Sequence, residues 1–252
     1  MSKSIVPRLL TIVAIILMVS CEVTDPYTKN KINGVWLLES INGTNVNTSE
    51  RIVYEFNNDK TALFAMRYEE SETYKSQWIE IKNYNWDLVS TNLQINGVDA
   101  KGETNAISAV LQTVNDTLLS FKASGRNLGD NNESTDNNLV FKRVLKQNYL
   151  YFGTWEMIQK DDVSKTDVRI TFNEDGTYIY SEYVDGNWVE KQDNNGQWFA
   201  YGSIIATNYT LNGEKICDVW DFDTASSGQV NTWVWTMNNE DIKSSVIFRK
   251  VN

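Results

Sequence analysis

Three carboxylates crowd one short stretch, Cys217-Asp218-Val219-Trp220-Asp221-Phe222-Asp223. Paired carboxylates at set separations run acid–base hydrolysis of glycosides, and calcium takes about six to eight oxygens. In an extended strand Asp221 and Asp223 share a face and Asp218 lies on the other. Two aspartates at a strand end are too few for calcium, and solvated edge charges are the plainer account. Asp130-Asn131-Asn132-Glu133-Ser134-Thr135-Asp136 carries calcium-loop oxygens but lacks the central glycine and the last glutamate, so it is rejected as a metal site.

The chain contains no histidine, which removes Ser-His-Asp and Cys-His nucleophiles and every His-ligated metal site. Cysteine occurs only at Cys21 and Cys217, too few for a thiolate zinc site, and Cys217 reads as a small buried hydrophobe. No catalytic residue, metal or cofactor is assigned, and the chain is expected not to be an enzyme. Tryptophan offers other chemistry. Trp188, between Gly186-Asn187 and Val189-Glu190, sits in a polar hairpin, and Trp78 in Ser76-Gln77-Trp78-Ile79-Glu80 is its earlier counterpart. Exposed indoles stack on sugars or apolar partners, which makes Trp78 and Trp188 the ligand-binding candidates.

The elements that would position these residues begin after an unusual N-terminus. Lys3 and Arg8 precede an apolar run, 9–19, too short for a bilayer span and suited to a signal-peptide core. It ends in Leu17-Met18-Val19-Ser20-Cys21, which resembles a loose bacterial lipobox. That resemblance implies a lipoprotein signal peptide over 1–20, acylation of Cys21, and a polar tether over 21–33. The expected partner is a membrane, held through N-terminal acyl chains, each stabilised by about 0.8 kcal/mol per buried CH₂. The net charge is −10, and losing Lys3 and Arg8 makes the body more acidic still. Such a body repels phosphate backbones, so nucleic acid is excluded as a partner.

Beyond Pro26 there is no proline, and period-two alternation bounded by Asn, Asp and Gly dominates. Over 153–252 the pattern predicts about eight strands, with hairpins at Asp175-Gly176 and Asn212-Gly213. The same order recurs over 34–145. Gly34-Val35-Trp36 answers Gly153-Thr154-Trp155, and Phe56-Asn57-Asn58-Asp59-Lys60-Thr61 answers Phe172-Asn173-Glu174-Asp175-Gly176-Thr177. Tyr84-Asn85-Trp86 stands where Gly196-Gln197-Trp198 stands later, and Asn96-Gly97 is matched to the Asn212-Gly213 turn. Val140-Phe141-Lys142-Arg143-Val144 answers Ile247-Phe248-Arg249-Lys250-Val251. One β unit is written twice, joined by a short linker over 146–152 whose Tyr149, Leu150, Tyr151 and Phe152 are apolar enough to pack. Asn127 to Asn138 reads as a polar loop inserted in the first copy.

Gly-x-Trp opening a strand, Phe-Asn-x-Asp-Gly-Thr-Tyr in the next hairpin, a later Gly-x-Trp and a closing Phe-x-x-Val together resemble the lipocalin-like domains of bacterial envelope lipoproteins. The resemblance implies an all-β chain of two tandem antiparallel up-and-down barrels. It implies an indole at each closed end under a basic side chain of the last strand: Trp36 with Arg143 or Lys142, Trp155 with Arg249 or Lys250. Arg143 and Arg249 are the barrel-closing assignments. Each copy is shorter than a full lipocalin, which narrows the room for a ligand.

The expected function is a membrane-anchored envelope lipoprotein, in the outer membrane, binding a small apolar or glycan ligand without catalysis. One alternative is an interaction protein with filled barrels whose outer faces meet an envelope protein partner. The other is a histidine-independent carboxylate hydrolase using Asp221 and Asp223.

Overall fold

A computed structural model describes residues 26–69, 76–99, 101–124, 136–146, 150–164, 167–222, 231–236 and 243–251. The expected signal peptide, Cys21, Asp223 and most of the polar loop at 127–138 lie outside them. The described chain is almost entirely strand. A short helix, α1 (Pro26–Ile32), leads into β1 (Gly34–Ile41), β2 (Thr44–Asn45), β3 (Ile52–Phe56), β4 (Thr61–Glu69) and β5 (Ser76–Val89). Then follow β6 (Asn92–Val98), β7 (Thr104–Val114), β8 (Leu118–Ser124) and β9 (Asp136–Val144). These pair as an antiparallel meander, and β1 also pairs with β9, so the sheet closes into a barrel.

The second sheet repeats the order with β10 (Gly153–Lys160), β11 (Val163–Ser164), β12 (Val168–Phe172), β13 (Thr177–Val184) and β14 (Asn187–Glu190). It continues through β15 (Gly196–Tyr201), β16 (Ile204–Leu211), β17 (Glu214–Phe222), β18 (Asn231–Thr236) and β19 (Lys243–Val251). Here too the first and last strands pair, β10 with β19. The wall is thin at one place. β13 meets β15 through two residue pairs only, Thr177 with Gln197 and Tyr178 with Gly196, because its outer half pairs with β14 instead. A fully closed barrel is therefore the property of the first sheet.

Both sheets carry the same irregularity. A β-bulge falls between Leu38 and Ser40 in the first and between Met157 and Gln159 in the second. A bulge bends its strand and sharpens the twist, so each first strand is turned at the same place to meet its last strand.

Two expectations are corrected. The C-terminal half of the tether is no spacer: α1 seats Ile32, fully buried, in the first core. And Asn96-Gly97 is not a turn, because both residues lie inside β6, with Gly97 opposite Tyr84. A Cβ at Gly97 would meet that ring at about 2.5 Å, so the glycine makes room for an aromatic. The Asp59-Lys60 turn keeps its shape without glycine, with Lys60 at φ +71°. Its Nζ lies 3.9 Å from the Trp86 ring centroid and 3.3 Å from Asp87, contacts that offset a costly backbone conformation.

A third apolar layer joins the sheets. Val35, Leu37, Val53, Leu63, Ala65 and Trp78 on the outside of the first barrel pack against Tyr201, Ile204, Ala206, Cys217 and Val219 on the outside of the second sheet. The strands at this seam are buried on both faces, which explains unbroken apolar runs such as Val35-Trp36-Leu37-Leu38. Asn208 clamps the edge: its Oδ1 accepts from the Trp78 backbone N–H at 2.7 Å and its Nδ2 donates to the Trp78 carbonyl at 2.8 Å.

Candidate functional site in the second sheet

The two closed ends are built alike. The Trp36 indole N–H donates to the Ile32 carbonyl at 2.7 Å, and the Trp155 indole to the Tyr151 carbonyl at 2.8 Å. Thus α1 plugs one end and the linker's Tyr151 plugs the other. Arg143 lies 4.2 Å from the Trp36 ring centroid and donates to the Asn33 carbonyl at 2.7 Å. Burial holds its guanidinium below its ordinary pKa. Gly34 and Gly153 sit at φ +128° and +105°, and a side chain at Gly34 would strike Arg143. The glycine of Gly-x-Trp thus leaves space for the base above the indole.

In the second sheet that base is Lys250, 5.6 Å from the Trp155 ring centroid, and not Arg249. Strand alternation decides it: Lys250 stands opposite Trp155, as Arg143 stands opposite Trp36. Arg249 faces outward, 3.6 Å from Glu156.

The ligand-binding candidates are separated. Trp78 is 1% exposed, sealed in the layer between the sheets, and offers no surface for stacking. Trp188 is half-buried on the outer face of the second sheet. The Arg169 guanidinium covers it at 3.9 Å from the ring centroid, and Tyr183 packs at 5.1 Å. Arg169 is held in turn by Glu156 at 2.7 Å.

The carboxylate cluster is also divided. Asp221 points to the seam, 3.5 Å from Arg51, while Asp218 points into the second sheet and is 3% exposed. Asp218 and Asp221 therefore share no reaction site.

Around Asp218 lies what the sequence reading did not single out, a cavity of about 220 Å³. Met157, Val168 and Ile170 supply apolar walls, and Tyr178, Tyr180, Tyr209 and Trp220 supply rings. Thr207 and Asp218 are its buried polar groups, while Lys160, Leu211 and Asn194 contribute from strand ends and a turn. The Tyr209 hydroxyl donates to Asp218 Oδ2 at 3.1 Å, and the Trp220 indole donates to Thr207 Oγ1 at 3.3 Å. Burial, with Asp218 close by, raises the phenol pKa values of Tyr178 and Tyr209 well above the ordinary value. Burial and the neighbouring carboxylates of Glu182, Asp167 and Asp218 push Tyr180 up to about 12. All three remain neutral hydrogen-bonding phenols at physiological pH.

Asn194 reaches this cavity from the turn at 192–194, which spans the place where β13 and β15 part. There the Tyr180 backbone N–H donates to Asn195 Oδ1 at 2.8 Å, and Lys191 N–H to the Tyr180 carbonyl at 2.9 Å. Side chains and a turn, not a full strand ladder, hold this stretch of wall together.

The sequence did contain a signal for the site. Asp218 alternates with Ile216 and Trp220, so an inward Trp220 carries Asp218 inward with it.

No family model matches the chain, and no curated relative matches it. Among solved structures, a protein of unknown function from the DUF3598 family of Nostoc punctiforme PCC 73102 is 11% identical. That match covers 88% of this chain and 97% of that one, with a TM-score of 0.24. A putative outer membrane protein from Bacteroides fragilis NCTC 9343 is 12% identical over 89% of this chain and 99% of that one, with a TM-score of 0.22. Likenesses this loose assign no role to the chain. The chain itself is an all-β molecule with one closed barrel and a second, thinner-walled sheet curled around a small cavity.

Proposed function

We propose that the chain is an envelope lipoprotein made of two lipocalin-like barrels, anchored through Cys21, whose second barrel binds a compact ligand without catalysis. The observation that carries this is the cavity of about 220 Å³ lined by Val168, Ile170, Tyr178, Tyr209, Asp218 and Trp220. Apolar walls with a few convergent polar groups are the usual make-up of a small-molecule site. The volume lies below the roughly 300–1,000 Å³ of sites for drug-sized ligands, so the ligand is small. In this reading the first barrel is a mount: its interior is packed with rings, and its outer face holds the second barrel through the seam.

The test is fluorescence of 1-aminoanthracene, a neutral dye that brightens in apolar surroundings, titrated with the purified protein. Brightening that is lost in Val168→Trp, which fills the cavity, is expected. No brightening with the wild type, or equal brightening with a folded Val168→Trp protein, would overturn the reading. The anchor is tested separately, since Cys21→Ser is expected to release the protein from membranes into the soluble fraction.

A further inference from the structure

We propose that the cavity of the second sheet selects a compact organic cation, a protonated amine, with Asp218 as its counter-charge and the rings of Trp220, Tyr178 and Tyr209 as its walls. This rests on the reading that the cavity binds a ligand.

The first barrel shows the same positions in an apolar core. Pairing across the strands puts Ile95 opposite Trp86 and Ile107. In the second sheet Thr207 stands opposite Trp198 and Asp218. Thr207 and Asp218 thus occupy the places of two isoleucines. The neighbouring pair changes too: Leu93 opposite Ala109 becomes Ile205 opposite Trp220. Tyr84 opposite Gly97 becomes Gly196 opposite Tyr209, which moves a ring from one strand to the next.

The isoleucines at these positions of the first barrel show that the fold does not need a buried carboxylate there. Packing alone gives no reason for an aspartate there. A cation against a buried carboxylate gains a charge-assisted hydrogen bond, and aromatic faces attract it further through their quadrupoles. Tyr209 already orients one carboxylate oxygen through its hydroxyl. The acidic body, at −10, adds a field that draws cations and repels anions. Lys160, the cation in the lining, enters from the last position of β10.

The experiment is calorimetric titration of the purified protein with phenethylammonium chloride and, separately, with 2-phenylethanol, its neutral counterpart. The ammonium is expected to bind at least about tenfold tighter, the scale of one charge-assisted contact in a desolvated site. Asp218→Asn is expected to bring the two to parity while leaving the alcohol's affinity unchanged. Equal affinities in the wild type, or a preference that survives in Asp218→Asn, would overturn the proposal. If Asp218→Asn does not fold, salt decides. A buried contact keeps its preference at about 0.5 M salt, whereas attraction to surface acids is screened away, and its loss would overturn the proposal. Should the protein brighten 1-aminoanthracene yet show no ammonium preference, the charge assignment falls and the binding reading stands. Binding of neither probe nor dye removes both.

Discussion

The first barrel and the second sheet share a plan and differ in what fills them. In the first, Tyr54 lies 4.3 Å from Phe64 and 5.0 Å from Phe141 between ring centroids, and Phe64 lies 4.3 Å from Tyr84. Ring packs on ring through that interior. In the second, Ile170 stands where Tyr54 stands, threonine and aspartate replace two isoleucines, and β13 turns aside to pair with β14. The comparison separates what the fold requires from what one copy adds. Indole, glycine, plug and base at the closed end occur twice and belong to the fold, whereas the buried threonine and aspartate of the cavity replace isoleucines in the second sheet alone.

The broadest way to probe the comparison is alkali. Burial raises the phenol pKa values of Tyr54 and Tyr84 in the first barrel, of Tyr151, Tyr178, Tyr180 and Tyr209 in the second sheet, and of Tyr201 at the seam. An unfolded tyrosine ionises near about pH 10. Each raised phenol therefore contributes stability that is fully present below about pH 10 and is lost as pH rises toward the folded value. The second sheet carries more of them and is expected to melt first, read by circular dichroism against pH.

At the closed ends the copies should respond alike. Trp36→Ala and Trp155→Ala are each expected to cost about 3–5 kcal/mol in denaturant melts, since both indoles are fully buried. A large inequality would mean the repeated motif does different jobs in the two halves. In the interiors they should differ. Ile107→Asp puts a carboxylate against a ring-filled core and is expected to cost about 3 kcal/mol. Asp218→Ile, the reverse exchange in the second sheet, is expected to change stability by no more than about 1 kcal/mol while abolishing ammonium binding. The smallest of these effects on stability beyond that pair is at the seam. Asn208→Ala removes two hydrogen bonds to Trp78 and is expected to cost about 1–2 kcal/mol, with the two halves melting in separate calorimetric transitions.

Much of this fold is legible in the sequence. The strands expected over 153–252 are there, with turns at Asp175-Gly176 and Asn212-Gly213, because alternation and Asn-Gly or Asp-Gly turns are local properties of the chain. The pairing of Trp36 with Arg143 followed from a resemblance, and register alone moved its later equivalent from Arg249 to Lys250. Trp78 was misplaced for a reason that sequence does not expose. Its neighbours Gln77 and Glu80 are polar, and only docking of the second sheet turns that strand's outer face into an interior. Trp188 kept its place in a polar hairpin, but its ring lies under Arg169, outside the cavity.

By itself, then, the sequence determined the all-β character, the hairpins at Asp175-Gly176 and Asn212-Gly213 and the absence of histidine chemistry, all of which depend on neighbours along the chain. Tertiary structure decided which face of each strand met solvent, a partner sheet or a cavity. Those outcomes depend on residues as far apart as Trp78 and Asn208, or Arg51 and Asp221. Asp218 carries both lessons: its side of the strand could be read from Ile216 and Trp220, but that this side faced a cavity depended on how the second sheet curled around it.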